Sequence, residues 1–241
     1  MPSRERDRLV EAFTDMAPEY EQKVDSELNL FWGWSYQSFV NELLTSTPIN
    51  QDDQILDVAT GTGVISHHLA SRGLSQRPIH ALDITLPMLK RTRQRFQNSN
   101  IEEQGELVCG SAMEMPYNGE TFTLVICGLA THHMDVEEFI SESHRILVSN
   151  GRLSIIDVGG SLFWKIPGIK LLLRIGAYLY FLMAENNDRA WAESASISNV
   201  RAKEEWQALL EKTGFKELEI RKLSSKNWFI PSPLLIKAVK T

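Results

Sequence analysis

Asp57 and Asp83 stand at the ends of two apolar runs, 54–58 and 79–83, and between them lies Ala59-Thr60-Gly61-Thr62-Gly63. Gly61 and Gly63 remove Cβ atoms where a tight strand-to-helix turn needs unusual dihedrals and where a ligand can approach the backbone. The first turn of the helix that follows presents free N–H groups to such a ligand. Asp83 falls 20 residues after Gly63. That spacing suits a carboxylate accepting hydrogen bonds from two ribose hydroxyls at the carboxyl end of the next strand. The chemistry is the holding of a nucleotide-like cofactor. His132 and His133 follow a further apolar run at 123–127. An imidazole titrates near operating pH, so either is a candidate general base or acceptor-orienting group, set against the plainer reading of a hydrogen-bonded scaffold residue.

The elements that must position these residues alternate. From residue 54 onward, strand-type runs at 54–58, 79–83, 106–109, 123–127 and 152–158 alternate with helical spacing, the pattern of a mainly parallel sheet. Asn150-Gly151 is a turn pair before the fifth run. Residues 203–213 have helical spacing, with Gly214 placed as the C-terminal cap, and two strand-type runs, 216–222 and 234–240, close the chain as an antiparallel pair at one sheet edge. Residues 1–50 read as helical and separate from the core, broken at Ala17-Pro18 and rich in aromatics from Phe31 to Phe39. Residues 161–184 are an apolar helical segment, followed by a polar loop at 185–198.

The chain of 241 residues suits one α/β core with small additions. A net charge of −6 argues against a broad nucleic-acid-binding face, which needs clustered Lys and Arg. Cys109 and Cys127 sit in apolar runs and read as buried free thiols of a reducing compartment, and no ligand spacing points to a metal. The charged N-terminus is unlike a secretory signal. The 161–184 segment carries Lys165, Lys170 and Arg174, unlike a spanning helix, and is a candidate for a lid or a peripheral membrane contact. The expected location is cytoplasmic.

With these markers in order, the chain resembles the class I S-adenosylmethionine-dependent methyltransferases, and most of all the group that includes the ubiquinone/menaquinone C-methyltransferases (methyltransferase type 11). The matching stretches are Leu56-Asp57-Val58-Ala59-Thr60-Gly61-Thr62-Gly63, Leu82-Asp83-Ile84-Thr85-Leu86-Pro87-Met88-Leu89 and Gly110-Ser111-Ala112-Met113-Glu114-Met115-Pro116-Tyr117. His132-His133, Glu142-Ser143-His144-Arg145-Ile146-Leu147 and the region 203–215 add to them. The resemblance is strong over 50–160 and moderate over 200–241. It implies a Rossmann-like α/β fold: a seven-stranded, mostly parallel sheet with an antiparallel last strand and helices on both faces. To this are added a helical N-terminal lid (1–50) and an inserted cap (161–199), around a core of 51–160 and 200–241.

The resemblance also implies roles. S-adenosyl-L-methionine would be the cofactor and S-adenosyl-L-homocysteine the product. Asp57, Ala59, Thr60, Gly61 and Gly63 would form the site for its methionine end, and Asp83 would hold the ribose hydroxyls. Ile84 and Met88 would pack near adenine, with Ser111, Ala112 and Met113 flanking the ring. Cys127, Gly128 and Leu129 would line the floor beneath the sulfonium, and Tyr20 would close over the cofactor. The chain departs from the family at Ser111, where an Asp is usual and would make a charge-assisted bond. It also departs at Thr123 and at Ser149-Asn150. The aromatics at 31–39 and 163–181 suggest a hydrophobic small acceptor, a quinol-, polyketide-, terpenoid- or lipid-like molecule methylated at carbon or oxygen. Two alternatives stay open: a non-catalytic methyltransferase-like binding or assembly protein, and an NAD(P)-dependent Rossmann enzyme. Against the second, Ser66 stands where the third glycine of that fingerprint falls.

Overall fold

The computed structural model describes residues 3–241, with side chains from residue 7 onward. Seven strands form one sheet: β1 (Ile55–Val58), β2 (Ile79–Asp83), β3 (Gly105–Cys109), β4 (Phe122–Gly128), β5 (Leu147–Asp157), β6 (Phe215–Lys222) and β7 (Leu234–Lys240), in the order β3-β2-β1-β4-β5-β7-β6. β3 to β5 are mutually parallel, and β7 runs antiparallel to both neighbours, β5 and β6. The closing pair lies side by side at one sheet edge, antiparallel as expected, with β7 against β5 and β6 outermost.

The central strands β1 and β4 are mainly apolar and buried because both faces are covered. In β4, Val125 and Cys127 pack with Phe139, Ile140, Trp206 and Leu210 on one face. Leu124 and Ile126 pack with Leu43, Ile65 and Leu69 on the other. These side chains come from α3 (Tyr36–Ser46), α4 (Val64–Ser71), α6 (Val136–Ile146) and α9 (Lys203–Thr213). Gly214, at φ +98, ends α9 by accepting the left-handed conformation a Cβ disfavours. α5 (Leu86–Asn98) follows β2.

The N-terminal region is α1 (Ser3–Met16), a single 3-10 turn at Ala17–Glu19, and α2 (Tyr20–Trp32). Beyond β5 come a 3-10 turn at Leu162–Lys165, α7 (Ile169–Ala184) and α8 (Asn187–Ser196). Two expectations need correcting. The stretch 185–198 is not a loop: Asn186 caps α8 by accepting from the Arg189 N–H at 2.9 Å, and buried ion pairs hold its polar residues inward. Cys109 is exposed, since β3 is the other edge of the sheet, whereas Cys127 is buried. The turn pair Asn150-Gly151 lies inside β5, where the register against β4 shifts between Phe122 and Leu124 and Asn150 has φ 61. Among the described residues, no helix is long and apolar enough to cross a membrane.

Candidate active site

Strand order reverses between β1 and β4, so the loops leaving them diverge and open a crevice at their carboxyl ends. Two non-glycine residues there have left-handed backbones, Ala59 after β1 (φ 54) and Leu129 after β4 (φ 55). Such strain persists where the surroundings impose it, and it collects at functional sites. Beneath the first loop, Asp57 Oδ2 accepts from Thr60 Oγ1 (2.7 Å), Ser66 Oγ (2.6 Å) and the Ser66 N–H (3.1 Å), while Oδ1 has no protein partner. Burial pushes the Asp57 carboxyl up to about 6, against the pull of these hydrogen bonds.

Above the loop, Asp83 Oδ2 accepts the Gly61 N–H at 2.9 Å and Oδ1 accepts from the Thr85 N–H and hydroxyl. Burial raises the Asp83 carboxyl and these bonds lower it. Glu21, in the first turn of α2, accepts from Thr62 Oγ1 at 2.9 Å and pairs with Arg95, whose Nε donates to Thr62 O. The N-terminal helices are thereby tied to the glycine loop.

One cleft gathers Tyr20, Ala59, Gly61, Asp83, Ile84, Met88, Ala112, Met113 and Leu129 in its wall. Asp57, Thr60, Gly63, Ser111, Cys127 and Gly128 lie outside that wall. Asp57, Thr60 and Cys127 are buried behind it, and Gly63 caps α4. Ser111 Oγ accepts the Met113 N–H at 3.2 Å, and Gly128 packs against Ile65. The cleft suits an adenosyl group. Ile84, Met88, Ala112 and Met113 make an apolar slot, Asp83 supplies a buried carboxylate, and the nearest atom to a Cβ built on Gly61 would be Tyr20 Cε1 at 3.9 Å.

A second cavity, of about 510 Å³, adjoins the first and shares Phe13, Tyr20, Leu129 and His133 with it. Its wall is mainly apolar, from α2, α7 and the segment around Ile230 and Pro231, with His132, His133, Glu27, Arg189, Glu193 and Ser196 among its polar groups. His132 Nδ1 meets Asp157 Oδ1 at 2.6 Å, and Asp157 Oδ2 also accepts from the His132 N–H and the Thr131 hydroxyl. Burial disfavours the His132 imidazolium, but the Asp157 carboxylate outweighs it and leaves His132 above the usual histidine range. His133 is moved the other way, by burial and by the neighbouring His132. Two adjacent imidazoles are thus driven apart, one above the usual histidine range and one below it.

Sequence reasoning did not reach Arg189 and Glu193. Arg189 is buried and bonds Glu193 at 2.8 Å and Glu27 at 3.0 Å, and His133 Nε2 lies 3.4 Å from Glu193. Arg189 and His133 hold the Glu193 carboxyl far below its ordinary value despite burial. His132, His133 and Glu193 could supply three metal-ligand atoms within 4.8 Å of one another. The guanidinium already bound to Glu193 balances its charge, so the set reads as an ion-paired network. The signal available in the sequence was an arginine with acids four positions to either side, Glu185 and Glu193.

A family model described as a methyltransferase domain matches residues 56–155. The chain carries a methyltransferase domain over these residues. The methyltransferase is 25% identical over 225 residues to the demethylmenaquinone methyltransferase of Lactobacillus johnsonii, covering 88% of this chain and 86% of that one. It is 26% identical over 178 residues to a ubiquinone/menaquinone biosynthesis C-methyltransferase of Ruegeria, covering 71% and 69%. In fold, the methyltransferase is similar to the geranyl diphosphate C-methyltransferase of Streptomyces coelicolor, solved with Mg2+, geranyl diphosphate and S-adenosyl-L-homocysteine. That match has a TM-score of 0.67 at 16% identity and covers 92% of this chain and 84% of that one.

Proposed function

We propose that this methyltransferase transfers a methyl group to carbon or oxygen of a hydrophobic small molecule held in the larger cavity. The observation that carries this is the shared wall: an apolar cavity of about 510 Å³ meets the cofactor cleft at Phe13, Tyr20, Leu129 and His133. The named relatives act on quinone precursors and the structural neighbour on a terpenoid diphosphate, which agrees with an apolar acceptor.

S-adenosylmethionine, when bound, supplies a methyl group already electrophilic at its sulfonium. The chain's own residues orient and exclude water. Asp83 holds the ribose hydroxyls, Ile84, Met88, Ala112 and Met113 enclose the adenine, and Asp57 acts from below by shaping the loop through Thr60 and Ser66. Tyr20 and Phe13 separate the two sites from solvent, with α1 to α3 as lid and α7 to α8 as cap. His132 is the base. Its Nδ1–H donates to Asp157, which leaves Nε2 to take the proton an acceptor hydroxyl loses as its oxygen or conjugated carbon becomes nucleophilic. Asp157 then stabilises the imidazolium. An exposed free cysteine suits a reducing compartment, and a cytoplasmic location belongs to this reading.

The test is calorimetric titration with S-adenosylmethionine and S-adenosylhomocysteine, followed by turnover on paired panels of apolar phenols, quinols and prenyl compounds and of polar acceptors. Micromolar cofactor binding with turnover confined to apolar acceptors is expected. Turnover of polar acceptors alone would overturn the assignment of the larger cavity.

A further inference from the structure

Among the described residues, most of the exposed large apolar side chains lie around the rim of the larger cavity. Of the fourteen large hydrophobic side chains that stand exposed among the described residues, ten lie between Leu162 and Met183, two are Trp228 and Phe229, and one is Leu30 beside them. Exposed apolar residues scattered singly mean little, but a contiguous patch marks an interaction surface. On α7 the exposed stripe is Leu172, Ile175, Leu179 and Leu182, at helical spacing, and Met183 is 89% exposed. The 228–229 tip is not a stray loop. Asn227 Nδ2 donates to Leu30 O and Phe31 O, Trp32 Nε1 donates to Pro231 O, and Trp34 Nε1 donates to Ser224 O, so Trp228 is held 93% exposed by a pinned backbone.

Both parts flank the same opening. Leu172, Gly176 and Tyr180 from α7, and Ile230 and Pro231 after the tip, line the larger cavity, and Phe31 on α2 stacks against Tyr180 at 5.8 Å between them. Charge selects the occupant. Residues 161–184 carry Lys170, Arg174 and Lys165, the last paired with Glu205 at 3.2 Å, and no acid, and residues 222–233 carry Lys222 and Lys226 and no acid, in a chain whose net charge is −6. At the far end of α7 the acids Glu185 and Asp188 are already paired, with Lys23 and Arg8.

We propose that α7 and the Trp228–Phe229 tip form one lipid-docking surface that seats this protein on an anionic membrane with the larger cavity opening toward the acyl chains. An amphipathic helix lying in the interface, with cations at its flanks and an aromatic anchor beside it, is the arrangement such binding needs. Its use in admitting an apolar acceptor rests on the methyltransfer reading, whereas the binding itself does not.

The experiment is co-sedimentation of the full chain with vesicles of phosphatidylcholine alone and of phosphatidylcholine with phosphatidylglycerol, at low and high salt, with light scattering on the free protein. Binding to the anionic vesicles, weakened by salt, is expected. Leu179→Glu combined with Met183→Glu, and separately Trp228→Ser with Phe229→Ser, should each lower the bound fraction by roughly tenfold. These side chains lie outside the cavity wall, so far-ultraviolet dichroism and cofactor binding should not change. Equal binding to both vesicle types, no binding to either, or variants that sediment like the parent would overturn the proposal. So would a dimer in solution that the same variants dissociate while vesicles stay unbound. Vesicle binding without turnover would leave the proposal standing and count against the methyltransfer reading alone.

Discussion

Asp83 accepts the backbone N–H of Gly61 at 2.9 Å, which joins the acid at the end of β2 to the loop after β1 as one unit. The same carboxylate has its other oxygen on Thr85, at the start of α5. The proposed ribose contact and the shape of the loop therefore rest on a single side chain.

Removing that carboxylate should weaken S-adenosylmethionine binding by about 10²-fold, since two hydrogen bonds to a charged group are each worth roughly 1.5 kcal/mol or more. Asp83→Ala should also lower the melting temperature by freeing the loop. Asp83→Asn, which keeps an acceptor for Gly61, should recover most of the stability but little of the affinity. Calorimetry beside thermal melts separates the two effects, and unaltered affinity in Asp83→Ala would remove the carboxylate from the cofactor site.

His132 must be neutral to act as a base, and Asp157 keeps its pKa above the ordinary 6.5. Activity should therefore climb with pH through a limb lying above that value. In Asp157→Asn the source of the upward shift is gone, so the limb should move to lower pH while kcat drops by about 10²-fold. A pH profile of kcat for an acceptor bearing a hydroxyl reads both. An unmoved limb would show that His132 does not titrate in catalysis.

Gly63 has φ +76, and a Cβ there would lie 2.5 Å from Thr92 Cγ2. Gly63→Ala should cost about 2–4 kcal/mol, combining backbone strain with overpacking. Adding Thr92→Ser removes the clashing methyl while keeping the hydroxyl that donates to Gly61 O at 2.8 Å, and should restore part of the loss. Denaturant midpoints of the four proteins in the cycle decide it. Equal effects with and without the second change would mean that the strain is in the backbone alone.

Glu27 is pushed up to about 7 from its ordinary 4.5, by burial first, against the pull of Arg189. Between those values the folded chain holds a proton that the unfolded chain releases. Stability from this group is present below pH 4.5 and lost as pH rises toward 7. Glu27→Gln should therefore gain on the parent protein across that window, by on the order of 1–2 kcal/mol, in urea titrations at pH 5 and pH 7.5. A constant difference between the two pH values would place the titration elsewhere.

The second cavity was the least legible part of the site. Helical spacing showed that 161–184 was an apolar helix and 31–39 an aromatic stretch, but not that both would close over one space together with Ile230 and Pro231 from the far end of the chain. Residues 185–198 read as a loop because they carry no apolar periodicity, and the local support for a helix lies only in the Asn186 cap and the spacing of Arg189 from Glu185 and Glu193. Arg189 is held inside the protein by Glu193 on its own helix and by Glu27, from a helix 162 residues away.

What the sequence determined by itself is what local periodicity and spacing encode. The alternation of strands and helices, the acid–loop–acid order of Asp57, Gly61 and Asp83, and the capping Gly214 all depend on neighbours within a few turns or on the fixed length of one strand–helix–strand unit. The insertion of β7 between β5 and β6, the choice of His132 over His133 as the basic imidazole, and the network around Arg189 were decided only by the tertiary structure. Each depends on burial and on charges that meet across the fold: Asp157 reaches His132 from 25 residues away, and its carboxylate raises the imidazole against the pull of desolvation.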